Sequence, residues 1–274
     1  MNNDMRNQGD IPTVRIPQEG EGSFQKVKMG ISSIIGTRKS QQDTVFGKVT
    51  PDGAIAIVCD GMGGLEGGEI ASKVAAETLA RDYFDTWPIA HVPSFFREEA
   101  LKMDQAVFEL TGENGLPLEA GTTIVSVIVQ NNGLYWLSVG DSRIYLIRNN
   151  EIVTVNQEHN YRMTLNAQLK DGIISRETYE KEDKKGDALI SFLGMGNVSL
   201  MDLNQAPFLL EPGDMVLLCS DGLYRSLDEE KLLWTIRTNM PDIQRAAHCL
   251  TACAMDETES SLDNTSLVLL QYME

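Results

Sequence analysis

The chain is poor in the residues that build soft-metal and redox sites. Its four cysteines, Cys59, Cys219, Cys249 and Cys253, include no CxxC pair, which argues against a zinc ribbon or a dithiol motif. Reduced thiols in a cytosol fit best. Only three histidines occur. Basic side chains are outnumbered 40 to 23, for a net charge of -17. Such a chain repels nucleic-acid phosphates and anionic membranes, so neither is an expected partner. No apolar run is long enough to span a bilayer, and the N-terminus lacks an apolar signal core. The expected location is therefore cytoplasmic. No internal repeat or low-complexity tract is evident.

What remains is an ordinary globular composition, 42% hydrophobic over 274 residues, enough for one large α/β domain. Residues 1–24 are polar, with Gly, Pro and Asn, and read as a flexible tail. Residues 25–274 read as a single domain. Short apolar, β-branched runs mark strands at 54–59, 123–129, 134–139, 143–148, 215–220 and 266–272. The links QNNG and GDS are too short for crossover helices. They predict antiparallel hairpin pairing of 123–129 with 134–139, and of 134–139 with 143–148. The runs are apolar almost throughout, so burial on both faces is expected. Helical stripes fall between them. Ile70, Val74, Ala75, Leu79 and Tyr83 make one in 69–85, and Phe95, Leu101, Val107 and Phe108 another in 94–111. Pro241 opens a third, running to about Met255. The pattern predicts an α+β fold, helices packed outside a sandwich of mostly antiparallel sheets. The polar stretch 157–196 is long for a connection and reads as a flap.

The informative residues are aspartates at strand ends. Asp60 follows AIAIVC and Asp221 follows VLLCS. Asp263 precedes NTSLVLLQY, Asp43 precedes TVFGKV, and Asp141 lies between two strands in GDSR. One such aspartate is usually a turn residue; five abutting buried strands are harder to assign to turns. If they converge, their charges repel strongly unless protons or a cation join them. An oxygen-only set favours Mg²⁺ or Mn²⁺. The stretch DGMGGLEGG (60–68) adds glycines that let a backbone carbonyl approach an ion. Its register excludes a dinucleotide fingerprint, and no GK[ST] follows for a P-loop. Arg38 is the natural phosphate partner, because its planar fork can hold two phosphate oxygens.

Six ordered segments carry a resemblance: RKSQQD (38–43), VCDGMGGLEGGEIAS (58–72), GTT (121–123), VGDSRIY (139–145), LLCSDGL (217–223) and DNTSLVLL (263–270). Together they resemble the metal-dependent Ser/Thr protein phosphatases of the PPM, or type 2C, family, in its bacterial form. The resemblance implies a central β-sandwich flanked by helices on both outer faces, four layers in all. It implies that Asp60 bridges two cations, Mn²⁺ or Mg²⁺. The carbonyl of Gly61 would bind the second, Asp221 and Asp263 the first, and Asp43 would act at the second. Asp141 would help hold a third, weaker cation, and Arg38 would contact phosphate. The implied activity is hydrolysis of phospho-Ser/Thr by a metal-activated water. The implied partners are phosphorylated proteins and a Ser/Thr kinase, acted on by a monomer.

Two positions depart from the family pattern. Gln42 stands where many relatives carry a ligating Glu, and Met62 replaces a proposed general acid, leaving water or His159 to protonate the leaving group. Two rivals also stand. CSDGLYRS (219–226) reads as the C-x-x-G-x-x-R phosphate loop of cysteine-dependent phosphatases, with Cys219 as nucleophile and Arg225 as phosphate holder. A phosphoprotein-binding adaptor without turnover is the non-enzymatic alternative.

Overall fold

Alternation along the strands sets the layers. The computed structural model describes residues 26–63, 67–112, 114–257 and 261–273; the tail assigned to residues 1–24 lies outside them. In β3 (Gly53–Gly63), Ala54, Ala56 and Val58 point to one face and Ile55, Ile57 and Cys59 to the other. All six are fully buried. Such a strand needs cover on both sides, which antiparallel sheets often lack.

The cover comes from a second sheet and from helices. One sheet has the order β1 (Val27–Ile34), β12 (Thr265–Tyr272), β11 (Met215–Cys219), β7 (Arg143–Arg148), β8 (Glu151–Thr154). The other has the order β10 (Phe208–Leu209), β6 (Gly133–Val139), β5 (Ile124–Gln130), β3, β2 (Asp43–Thr50). Two short strands join off that path, β4 (Ala120–Thr122) on β3 and β9 (Asp202–Leu203) on β6. Every ladder is antiparallel. The inner faces meet through Ala54, Ala56, Val58, Val125 and Val127 against Ile144, Val216, Leu218 and Val268. On one outer face, α1 (Gly67–Thr86) and α2 (Val92–Phe108) bury Leu79, Tyr83, Phe96 and Met103 against Ile55 and Ile57. On the other, α6 (Glu229–Asn239) and α7 (Ile243–Glu257) bury Leu232, Ile236 and Leu250 against Leu217 and Leu269. The result is the expected four-layer sandwich. Burying a Leu or Ile side chain is worth ~1.5–3 kcal/mol, so each of the three interfaces stabilises the stack substantially.

Three sequence expectations need correction. The hairpin of β5 with β6 is present, with Gln130 opposite Gly133. The second hairpin is not. β6 and β7 belong to different sheets, and GDS carries the chain from one to the other. Gly140, at φ +108°, makes that corner in a region open mainly to glycine. Leu101 and Phe108 are exposed rather than buried, because Phe96, Ala100 and Met103 take the inward face of α2. The third helix starts at Ile243, capped by the Asp242 carboxylate, which accepts from the Arg245 N–H at 2.9 Å. Residues 157–196 form α3 (Tyr161–Lys170), α4 (Arg176–Glu182) and a short 3-10 turn; only Leu165 is buried in these helices.

Candidate metal centre

The two sheets end together at one edge, and the aspartates lie there. Asp43 opens β2 and faces Asp60 on β3 in register. Across the sandwich, Asp221 opens α5 (Asp221–Tyr224) just beyond β11, and Asp263 just precedes β12. Backbone and side-chain hydrogen bonds lock the sheets at this point. The Ser220 hydroxyl donates to Asp43 Oδ2 at 2.8 Å, and the Gln42 N–H donates to Asn264 Oδ1 at 2.8 Å. Asn264 in turn donates to the carbonyls of Ile35 and Ser40. The GTT segment holds Asp60 from the other side. Its Thr123 hydroxyl accepts the Asp60 N–H at 3.1 Å, and the Thr122 hydroxyl donates to the Asp60 carbonyl at 3.0 Å. Gly61 donates its N–H to the Gln42 carbonyl at 3.1 Å. A Cβ there would collide with the carbonyls of Gly68 and Gln42, so only glycine fits.

Electrostatics show the acids acting on one another. Burial, then the charges of Asp221 and Asp263, push the Asp43 carboxyl up to about 7, against hydrogen bonds from Ser220 and Ser266 that lower it. Asp60 is raised well above the ordinary carboxylate range by burial first and then by Asp43, Asp221, Asp141 and Asp263. Burial also raises Asp221, with Arg225 opposing. Asp141 rises to about 6 through burial and the charge of Asp221. Asp43 Oδ1 is buried with no hydrogen-bond partner. An orphaned carboxylate oxygen is costly; here the group also feels the charges of Asp221 and Asp263 and acts on Asp60. A divalent cation would satisfy it, and an all-oxygen donor set suits Mg²⁺ or Mn²⁺.

Among the described residues, no three His, Cys, Asp or Glu side chains are already gathered tightly enough to hold a metal ion. Three of the acids are turned to arginines instead. Arg38 is ion-paired with Asp263 at the exposed rim. Arg225 reaches Asp221 at 3.1 Å and Asp141 at 3.8 Å. The structure thus brings Asp43, Asp60, Gly61, Asp141, Asp221, Asp263 and Arg38 to one edge, with arginines compensating part of the charge. Gln42 donates its side-chain amide to the Gly63 carbonyl at 3.3 Å, at the end of β3.

The remaining candidates resolve differently. Cys219 is fully buried in β11, between Arg143 and Leu267 in register, and burial drives its thiol far up, away from thiolate. Its supposed partner Arg225 faces the carboxylates, so the cysteine-nucleophile geometry is absent. His159 is buried, and burial lowers its pKa. Its Nδ1 accepts the Gly140 N–H at 3.1 Å while the His159 backbone N–H donates to the Gly140 carbonyl at 2.8 Å, fixing the corner that carries Asp141. Sequence reasoning passed over Ser220, Asn264 and Thr123. Ser220 and Asn264 adjoin Asp221 and Asp263 in the chain, whereas Thr123 is remote in sequence from every strand-end aspartate and is marked only by the GTT segment.

A family model described as protein phosphatase 2C matches residues 32–259. The chain is 30% identical over 201 residues to the serine/threonine phosphatase stp of Listeria welshimeri, covering 72% of this chain and 74% of that protein. Among solved structures, the serine/threonine phosphatase of S. agalactiae superposes with a TM-score of 0.76 at 24% identity, covering 90% of this chain and 100% of that one. The catalytic domain of the phosphatase PstP, solved with 2 manganese ions, superposes with a TM-score of 0.72 at 24% identity, covering 90% and 99%.

Proposed function

Because the chain belongs to the protein phosphatase 2C family, we infer that it is a metal-dependent protein serine/threonine phosphatase. The observation that carries this reading is the unpartnered, buried Oδ1 of Asp43, which pairs in register with Asp60 and feels the charges of Asp221 and Asp263. We propose that Asp60 would help hold two divalent cations, Mn²⁺ or Mg²⁺. Asp221 and Asp263 would hold one, and Asp43 and the Gly61 carbonyl the other. The ions, once bound, supply the Lewis acidity that readies a water for attack on phosphorus.

The chain's own residues do the rest. The paired register of Asp43 and Asp60 fixes their backbones across two adjacent strands, a rigid base for oriented ligands. Arg38 is half-exposed beside Asp263. Its guanidinium fork, released from Asp263, would hold two phosphoryl oxygens and offset their charge. No side chain need be phosphorylated in the cycle, and the core position of Cys219 fits that scheme. His159, held at the corner, supports geometry and leaves leaving-group protonation to solvent.

In the same reading the substrates are phosphorylated proteins, and a Ser/Thr kinase produces them. Residues 25–274 act as one monomeric catalytic domain, and 157–196 serve as a flap that shapes substrate choice. The sparse burial of α3 and α4 supports that last role. No helix of the described residues is long and apolar enough to cross a membrane, and a cytoplasmic location completes the proposal. The test is phosphate release from phospho-Ser and phospho-Thr peptides with and without Mn²⁺, alongside calorimetric titration of Mn²⁺. Turnover that survives exhaustive chelation, or absence of Mn²⁺ binding, would sink the reading.

A further inference from the structure

We infer that the Arg225 guanidinium is the resident cation of the Asp141–Asp221 pair and stands where a third divalent ion would otherwise bind. The inference rests on the phosphatase reading of the same edge and concerns how many ions that edge takes.

The carboxylates of Asp141 and Asp221 are both largely buried, at 9% and 16% exposure. They come from opposite sides of a corner, one from the GDSR crossing and one from the first residue of α5. Two such acids close together need positive charge. Arg225 supplies it. Its Nε lies 3.1 Å from Asp221 Oδ2, and its Nη2 lies 3.8 Å from Asp141 Oδ2. The spacing of four between Asp221 and Arg225 puts both on one helical face, and the Arg225 N–H closes the turn on the Asp221 carbonyl at 3.0 Å.

The frame around this contact is fixed. The Tyr224 hydroxyl donates to the Asp141 carbonyl at 3.2 Å, tying α5 to the corner. The Arg143 guanidinium lies 3.7 Å from the centre of the Tyr224 ring and is held by Glu158 at 2.6 Å. A Mg²⁺ ion needs carboxylate oxygens at ~2.0–2.1 Å. With Asp221 serving the first cation through its other oxygen, a third ion reaching both acids through their Oδ2 atoms would displace Arg225. Loss of the guanidinium leaves two partly buried like charges with a ready demand for a divalent ion.

The test is equilibrium dialysis against Mn²⁺ at neutral pH, followed by metal analysis per folded chain, with circular dichroism as the check of fold. Wild type is expected to bind two ions and Arg225→Ala one more. Arg225→Lys, which keeps the charge, should not gain it, and adding Asp141→Ala to Arg225→Ala should remove it. If Arg225→Ala does not fold, Arg225→Gln keeps the size, loses the charge and carries the same expectation. Three ions on wild type, or no extra ion on a folded neutral variant, overturns the inference. Wild type that binds no Mn²⁺ overturns the functional reading instead, and this inference with it.

Discussion

Asp104 and Asp43 are both buried aspartates, at 2% and 7% exposure, in contrasting surroundings. Asp104, on α2, accepts backbone N–H groups from Gly194, Gly196 and Val198 at 2.8, 3.2 and 2.8 Å. It clamps the end of the 157–196 segment to the helical layer, and both its oxygens are used. Asp43 has one oxygen on Ser220 and the other on nothing, with further acids around it. A carboxylate placed for stability is saturated by donors; one placed for a ligand is left short of them. The difference separates structure from function at residues that composition cannot tell apart.

The comparison breaks most visibly in catalysis. Asp60→Ala should cut phospho-peptide hydrolysis on the order of 10³-fold or more, as removal of a preorganised electrostatic group does. Steady-state kinetics with saturating Mn²⁺ will read it. Asp104→Ala should leave kcat of the folded enzyme near wild type but cost about 2–4 kcal/mol in urea unfolding, because three N–H groups lose a charged acceptor. Equal effects of the two changes on both readouts would erase the distinction.

The next effect is in pH. Asp43 titrates near 7 and Asp141 near 6 in the folded chain, against an ordinary value of 3.8. Between those limits the native state binds more protons than the unfolded one. Stability of the metal-free protein contributed by these groups is therefore full below about pH 3.8 and lost as pH rises through 6 to 7. Thermal unfolding in EDTA should show Tm falling from pH 5 to pH 7.5, and Mn²⁺ should reverse the fall. Asp43→Asn should flatten the slope. The smallest effect concerns Cys219. Cys219→Ser places a hydroxyl in a dry strand and should cost about 1–3 kcal/mol, while the folded fraction keeps its turnover.

Much of this edge could be read from the linear order. An aspartate beside an apolar run is visible, and strand ends gather wherever two sheets stack. The split of β6 and β7 between sheets was not visible, because a three-residue link serves a hairpin or a corner equally well. The positive φ of Gly140 decided it. The helix α6 went unread because its inward face holds only Leu232, Thr235 and Ile236, while Trp234 is exposed. The role of Arg225 was obscured by spacing. Six residues from Cys219 and four from Asp221, it suits a phosphate loop or a helical ion pair, and the one-turn helix after β11 selects the second.

The most direct measurement is calorimetric titration of Mn²⁺ into wild type, Asp60→Asn and Asp221→Asn, which alter one carboxylate on β3 and one just beyond β11. Shared ligation across the sandwich predicts that wild type binds Mn²⁺ and that each single change weakens or abolishes binding. Unchanged affinity and stoichiometry in both variants would contradict it.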